Sequence, residues 1–277
     1  MTRAALEVWG DPIEHSLSPR LHTAAYAELG WEWTYGRRRV DEASFEAELR
    51  GAASTIRGLS LTMPLKARAH AVATTLDERA HLTGAANTLV RRGDGWHGFN
   101  TDVGGIVAAL GEQGVSDVVD ARIVGAGATA ASALVAVSEI GARRVEVMAR
   151  RPGAAAALID LGRRLEVVVE AAPWASDDLA VRGVTIATLP GGVEVDGEVA
   201  DALARAGGPL LDVVYGHWPT ALSDAWERNG APAQNGAGML LHQAVLQIRA
   251  FATGDVAQPL PREAAVVAVM RRALMGD

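Results

Sequence analysis

The chain has 277 residues, room for about two domains at roughly 150 residues each, and its 49% hydrophobic and 21% charged residues exclude a disordered polymer. Lys and Arg number 26 against 33 Asp and Glu, a formal charge of −7 that argues against a dedicated nucleic-acid binder. The absence of cysteine excludes disulfides, thiolate nucleophiles, Cys-ligated zinc and iron–sulfur clusters together.

Taken in chain order, residues 6–9 form a short apolar strand that ends at Gly10. The spacing predicts a helix over 19–29, with Ser18 as a possible cap, Pro19 suited to its first turn and Gly30 after its end. A strand follows at 34–40, a helix capped by Asp41 through Arg50, a strand at 56–61, and a helix restarting at Pro64. Residues 87–92 and 96–100 flank Gly93-Asp94-Gly95 and read as a hairpin. From about residue 101 the rhythm becomes βα: a helix at 103–113, strands at 121–124, 145–148, 167–169, 184–187 and 210–214, and an Ala-rich helix to Ile140. Helical patterns at 236–253 and 262–274 close the chain. The expectation is an α/β protein: an N-terminal α/β domain, then a doubly wound parallel sheet of the Rossmann type. The uncharged stretch 123–138 falls short of the ~20 residues of a membrane span, and no apolar signal follows Met1, so a cytoplasmic enzyme is expected.

Gly125-Ala126-Gly127-Ala128-Thr129-Ala130 follows a strand and opens a helix. In such a G-x-G-x-x-A turn the first Gly makes the bend. The second admits a pyrophosphate, and the Ala lets helix and sheet pack closely. The next strand ends in Ala149-Arg150-Arg151-Pro152, with no carboxylate at its tip to bind a ribose 2′-hydroxyl. Guanidiniums there match a 2′-phosphate, which favours NADP over NAD, although a solvated Arg pair is the plainer alternative.

Four segments place small polar groups where strands meet helices or the hairpin: 10–19 with Ser16 and Ser18, 60–66 with Thr62 and Lys66, 84–89 with Asn87, and 98–102 with Asp102. Such a set suits a small, oxygen-rich substrate. Each group has a plainer role: Ser18 and Asp102 as helix caps, Thr62 as a strand end, Asn87 as a turn former. Lys66 is the one lysine among 25 arginines. Arginine cannot replace an amine that must lose its proton, although composition alone leaves chance survival equally open. No His pair has metal-ligand spacing with a carboxylate partner, so no metal is expected.

Together, G-x-P-I-x-H-S-x-S-P, T-x-P-x-K, G-A-x-N-T, G-x-N-T-D, the glycine turn, Asp212-Val-Val-Tyr215 and Gly236-Ala-Gly-Met-Leu-Leu-His-Gln243 resemble the shikimate dehydrogenase family over nearly the whole chain. The resemblance implies NADPH-dependent reduction of 3-dehydroshikimate to shikimate. It implies Lys66 and Asp102 as the catalytic pair, with Ser16, Ser18 and Tyr215 at the substrate carboxylate. Thr62, Asn87 and Gln243 face the substrate's hydroxyls and carbonyl. Gly125, Ala126, Gly127, Ala128, Thr129, Arg150 and Arg151 hold the cofactor, with Val213 and Gly236 near the nicotinamide. It also implies a substrate domain over 1–101 completed by 237–277, and an NADP domain over 102–236. The chain departs from the family pattern at Ser60-Leu-Thr62, where Asn-Val-Thr is usual, and at Ala149-Arg150-Arg151, where Asn-Arg-Thr is usual. A small-molecule substrate, no nucleic acid, no membrane, and a monomer or homodimer are the expected partners. A quinate enzyme using NAD and a non-catalytic nucleotide-binding relative are the alternatives.

Overall fold

Alternating and buried apolar residues start the chain as a strand, β1 (Ala4–Gly10), with Leu6, Val8 and Trp9 in the core. The computed structural model describes residues 3–93, 95–151, 153–174 and 179–276. Asp94 of the expected hairpin turn and Pro152 of the Arg150-Arg151 segment lie outside the described residues.

Helix α1 (Ser18–Leu29) carries a proline in its first turn and ends at Gly30 in the left-handed region, as its sequence requires. Its N-cap position is Leu17 rather than Ser18. Strand β2 (Trp33–Arg39) leads to α2 (Phe45–Ala52), which begins later than expected. Asp41 instead accepts bonds from the Ser44 N–H and hydroxyl in the turn before it. Next come β3 (Gly58–Leu61), α3 (Lys66–Val72), and the unexpected short pieces β4 (Thr75–Leu76) and α4 (Glu78–Thr83). The hairpin of β5 (Thr88–Arg92) and β6 (Gly95–Phe99) follows, then α5 (Thr101–Glu112).

The βα rhythm then runs β7 (Asp120–Val124), α6 (Ala128–Glu139), β8 (Arg144–Met148), α7 (Ala156–Arg164), β9 (Val168–Ala172) and β10 (Val184–Ala187). It continues through α8 (Gly197–Ala206), β11 (Leu210–Asp212), α9 (Ala221–Arg228) and β12 (Ala233–Gln234). Helices α10 (Ala237–Thr253) and α11 (Glu263–Met275) close the chain. Strand β11 ends two residues earlier than the apolar run suggested, because Asp212 turns the chain into a loop.

Among the described residues the strands form two six-stranded sheets. The chain divides into two compact units, one of residues 1–105 with 241–277 and one of 106–240.

The first sheet has the order β2-β1-β3-β5-β6-β4. Strands β1, β2 and β3 are mutually parallel, while β5 runs antiparallel to both β3 and β6. The C-terminal ends of β1, β3 and β6 therefore share one edge with the start of β5. Helix α11 returns to this unit and packs on α1. The core under the sheet holds Trp9, Phe45, Leu59, Leu65, Leu89 and Trp96.

The second sheet, β9-β8-β7-β10-β11-β12, is parallel throughout. Numbered from β7, that is the 3-2-1-4-5-6 order of a doubly wound dinucleotide fold, whose ligand crevice opens where the order reverses, beside β7. Arg122 on β7 is fully buried, and its Nε donates to Glu146 Oε1 on β8 at 2.6 Å.

Candidate active site

The shared edge of the first sheet gathers the polar segments. Asn87 stands just before β5, Thr62 just after β3, and Asn100, Thr101 and Asp102 just after β6. Lys66 opens α3 and its Nζ donates to Asp102 Oδ2 at 2.6 Å, with both side chains mostly buried. Asn87 Nδ2 donates to the other Asp102 oxygen at 2.8 Å and to Gln243 Oε1, on α10, at 3.3 Å. Asn87 Oδ1 in turn accepts from the Thr101 N–H at 2.9 Å. Asp102 does not cap α5: it lies inside the helix, and its own N–H donates to Asn100 Oδ1 at 3.1 Å. Its carboxylate is thereby turned toward Lys66. Lys66, Asn87, Asp102 and Gln243, far apart in sequence, form one bonded cluster.

Ser16 and Ser18 lie in the segment after β1. Ser16 Oγ accepts from the Ser18 N–H at 3.4 Å, and Ser18 is buried. Thr62 N–H donates to the Trp9 carbonyl at 3.0 Å, which ties the end of β3 to the end of β1.

In the second unit, Gly125 follows β7 at φ +121°. A Cβ there would stand 2.4 Å from Thr188 Oγ1, so only glycine makes this bend without strain. Gly127 caps α6 without a side-chain bond, and a Cβ on it would meet nothing within 4 Å. The first amides of α6 therefore face an open cradle formed by 125–129, a ready site for a pyrophosphate. Arg150 and Arg151 are exposed beyond the end of β8, with no carboxylate between strand and guanidiniums. The residues present fit a dinucleotide. Asp212 accepts from the Val214 N–H at 3.2 Å and the Thr220 hydroxyl at 2.9 Å, which shapes the loop of Val213 and the exposed Tyr215. Burial raises the Asp212 carboxyl above its usual range. Gly236 packs against the Val213 carbonyl, where a Cβ would approach to 2.0 Å.

A model of the shikimate dehydrogenase substrate binding domain matches residues 8–89. A shikimate dehydrogenase (NADP(+)) of Anaeromyxobacter dehalogenans is 37% identical over 263 residues, covering 92% of this chain and 91% of that protein. The chain belongs to the shikimate dehydrogenase family. The crystal structure of Mycobacterium tuberculosis shikimate dehydrogenase superimposes with a TM-score of 0.83 at 38% identity, over 99% of this chain and 100% of that one. The Thermus thermophilus shikimate 5-dehydrogenase in complex with NADP(H) and shikimate gives a TM-score of 0.81 at 27% identity, over 98% of this chain and 99% of that one.

Against the family pattern, the structure adds residues that the motifs did not single out for a role. Thr101 and Asn100 hold Asn87 and Asp102 from within the G-x-N-T-D segment. Asp77 caps α4 through the Ala80 N–H at 2.7 Å and takes the Asn100 N–H at 3.2 Å, linking an otherwise unremarked helix to the cluster. Gln247 follows Gln243 by four residues on α10, the spacing of one helix face, which is the signal that could have found it. Among the described residues no group of three or more His, Asp or Glu comes together to hold a metal, and no helix is long and apolar enough to cross a membrane.

Proposed function

We propose that the chain catalyses the reversible NADPH-dependent reduction of 3-dehydroshikimate to shikimate. The observation that carries this reading is the bonded set of Lys66, Asp102 and Asn87, with Lys66 Nζ 2.6 Å from Asp102 Oδ2. Family membership supplies the substrate class, and the relative from Thermus thermophilus was crystallised in complex with NADP(H) and shikimate.

The domain assignment follows the same reading: residues 1–101 with 237–277 bind the substrate, and 102–236 bind NADP. A bound nicotinamide dinucleotide supplies the hydride. Lys66 gives the proton that a carbonyl oxygen needs as it becomes an alcohol, and recovers one when shikimate is oxidised. Asp102 holds the amine by one oxygen, while Asn87 fixes the other. Both carboxylate oxygens are then engaged and the Lys66 amine keeps its orientation. A proton donor so positioned contributes about 10²–10⁴-fold. Thr62, Asn87 and Gln243 meet the ring hydroxyls, and Ser16 and Ser18 meet the carboxylate. Residues Gly125 to Thr129 take the pyrophosphate on the α6 amides. Arg150 and Arg151 would hold the 2′-phosphate, and Val213 and Gly236 would face the nicotinamide.

The test is an absorbance assay of shikimate and quinate, each with NADP and with NAD. The proposal expects shikimate with NADP to be the best pair by kcat/KM. A preference for quinate or for NAD would redirect the assignment, and the absence of dinucleotide reduction in all four pairings would overturn it.

A further inference from the structure

Gln247, on α10, is buried and takes no part in the reaction as derived. Its amide bridges β3 and the residue that precedes β5. Nε2 donates to the Asn87 backbone carbonyl at 3.3 Å, and Oε1 accepts from the Ser60 hydroxyl, on β3, at 2.7 Å. His22 Nε2, on α1, lies 3.3 Å from the same oxygen. The Ser60 oxygen in turn accepts from the Tyr35 hydroxyl, on β2, at 2.6 Å.

These partners allow the amide one orientation. The Asn87 carbonyl can only accept, so it takes an amide N–H. The amide oxygen then faces Ser60, whose proton is free for it because the Ser60 oxygen already accepts from Tyr35. Turning the amide over would set its oxygen against the Asn87 carbonyl and leave buried groups unpaired. Gln243 lies one turn before Gln247 on the same face of α10, and its Oε1 accepts from Asn87 Nδ2 at 3.3 Å. Asn87 has other anchors: its carbonyl also takes the Leu61 N–H at 2.7 Å, and its Oδ1 takes the Thr101 N–H at 2.9 Å. Asn87 therefore keeps its place without Gln247, whereas the place of Gln243 depends on how α10 sits on the sheet.

We propose that Gln247 is a positioning residue that sets Gln243 against the substrate: its amide fixes the register of α10 on Ser60 and Asn87. This role rests on the assignment of Gln243 to the ring hydroxyls of the substrate.

The test is a double-mutant cycle of Gln247→Met with Gln243→Ala, reading KM for shikimate, KM for NADP and kcat separately. Met keeps the length of the side chain and removes both amide bonds. Gln247→Met is expected to raise KM for shikimate about three- to tenfold, the worth of one buried hydrogen bond, with kcat and KM for NADP unchanged. In the Gln243→Ala background the same change is expected to have no further effect. Gln247→Glu gives a second readout should the Met variant fail to fold. Its protonated carboxyl has the donor and the acceptor of the amide, whereas its ionised form sets an oxygen against the Asn87 carbonyl. The titratable groups around this position are His22 and, behind Ser60, Tyr35, with Asp102 beyond the Asn87 side chain. Burial keeps His22 neutral, its pKa lowered to about 3, and pushes the Tyr35 phenol up. KM for shikimate in Gln247→Glu, relative to the wild-type enzyme at the same pH, is expected to rise about threefold or more between about pH 5 and pH 9, as the buried carboxyl ionises. No rise from Gln247→Met, an equal rise in both backgrounds, or a ratio for Gln247→Glu that is flat with pH overturns the positioning role. A Gln243→Ala enzyme with unchanged KM for shikimate overturns the Gln243 assignment itself, so the two failures are told apart.

Discussion

Lys66 is the residue on which the chemistry turns. Its amine is held at 2.6 Å by a carboxylate that Asn87 fixes from the other side, so neither partner is free to rotate away. Lys66→Ala is expected to lower kcat by about 10²–10⁴-fold while KM for NADP holds. Lys66→Arg should fail as badly, since a guanidinium keeps its proton. Steady-state kinetics of the two variants checks both, and near-normal turnover in either removes the assignment. Arg150 carries the second prediction at this scale. It is exposed at the end of β8, free of any acidic residue at the strand tip. Arg150→Ala should raise KM for NADP by at least about tenfold, the scale of a charge-assisted bond, and leave KM for NAD nearly unchanged. Equal losses for both cofactors would contradict a 2′-phosphate contact.

At the scale of elements, the glycine turn separates two jobs that the motif merges. Gly125 makes the bend at φ +121° against Thr188, whereas Gly127 faces open space. Gly125→Ala should therefore destabilise the fold by about 1–3 kcal/mol. Gly127→Ala should leave stability within about 0.5 kcal/mol yet raise KM for NADP, because its methyl obstructs only the incoming phosphates. Denaturant melts and KM for the two variants test the split, and a Gly127→Ala protein as unstable as Gly125→Ala would refute it. Most elements are legible in the residue pattern alone. Gly30, Pro19 and the alternation in β1 mark α1 and its strand, and the βα rhythm after residue 101 is regular. The pieces β4, α4 and β12 are not legible there: two or six residues carry too little periodicity to register. Leu17 rather than Ser18 takes the N-cap position of α1, and the cap role open to Asp102 is lost because Lys66 claims its carboxylate.

For the molecule as a whole, the buried His22 ring, stacked on Tyr35 at 3.9 Å between centroids and with its Nε2 3.3 Å from Gln247 Oε1, has a cost in acid. Burial in the first unit lowers the His22 pKa from 6.5 to about 3, so the ring stays neutral in the folded protein. The unfolded chain protonates it below about pH 6.5. Between those two values the unfolded state binds the extra proton, so this residue's contribution is complete above pH 6.5 and is lost as pH falls toward 3. The slope is at most about 1.4 kcal/mol per pH unit. His22→Gln should be less stable at neutral pH, having lost the ring stack, but should lose less further stability between about pH 6 and pH 4. Urea melts across that window measure it, and parallel acid limbs for the two proteins would contradict it.

The chemistry of this protein was written locally. Ordered motifs such as T-x-P-x-K and G-x-N-T-D carry it because a site built at strand ends needs its polar groups beside short turns, and short turns are contiguous in sequence. Which partners those groups take was settled by long-range pairing alone. Strand β5 runs antiparallel, so Asn87 arrives beside Asp102. A helix from the far end of the chain brings Gln247 to Ser60 across 187 residues. Arg122 is buried inside an apolar strand because Glu146 lies on the adjacent one. Side chains so distant along the backbone meet only after the sheets form, and no local pattern encodes such a meeting.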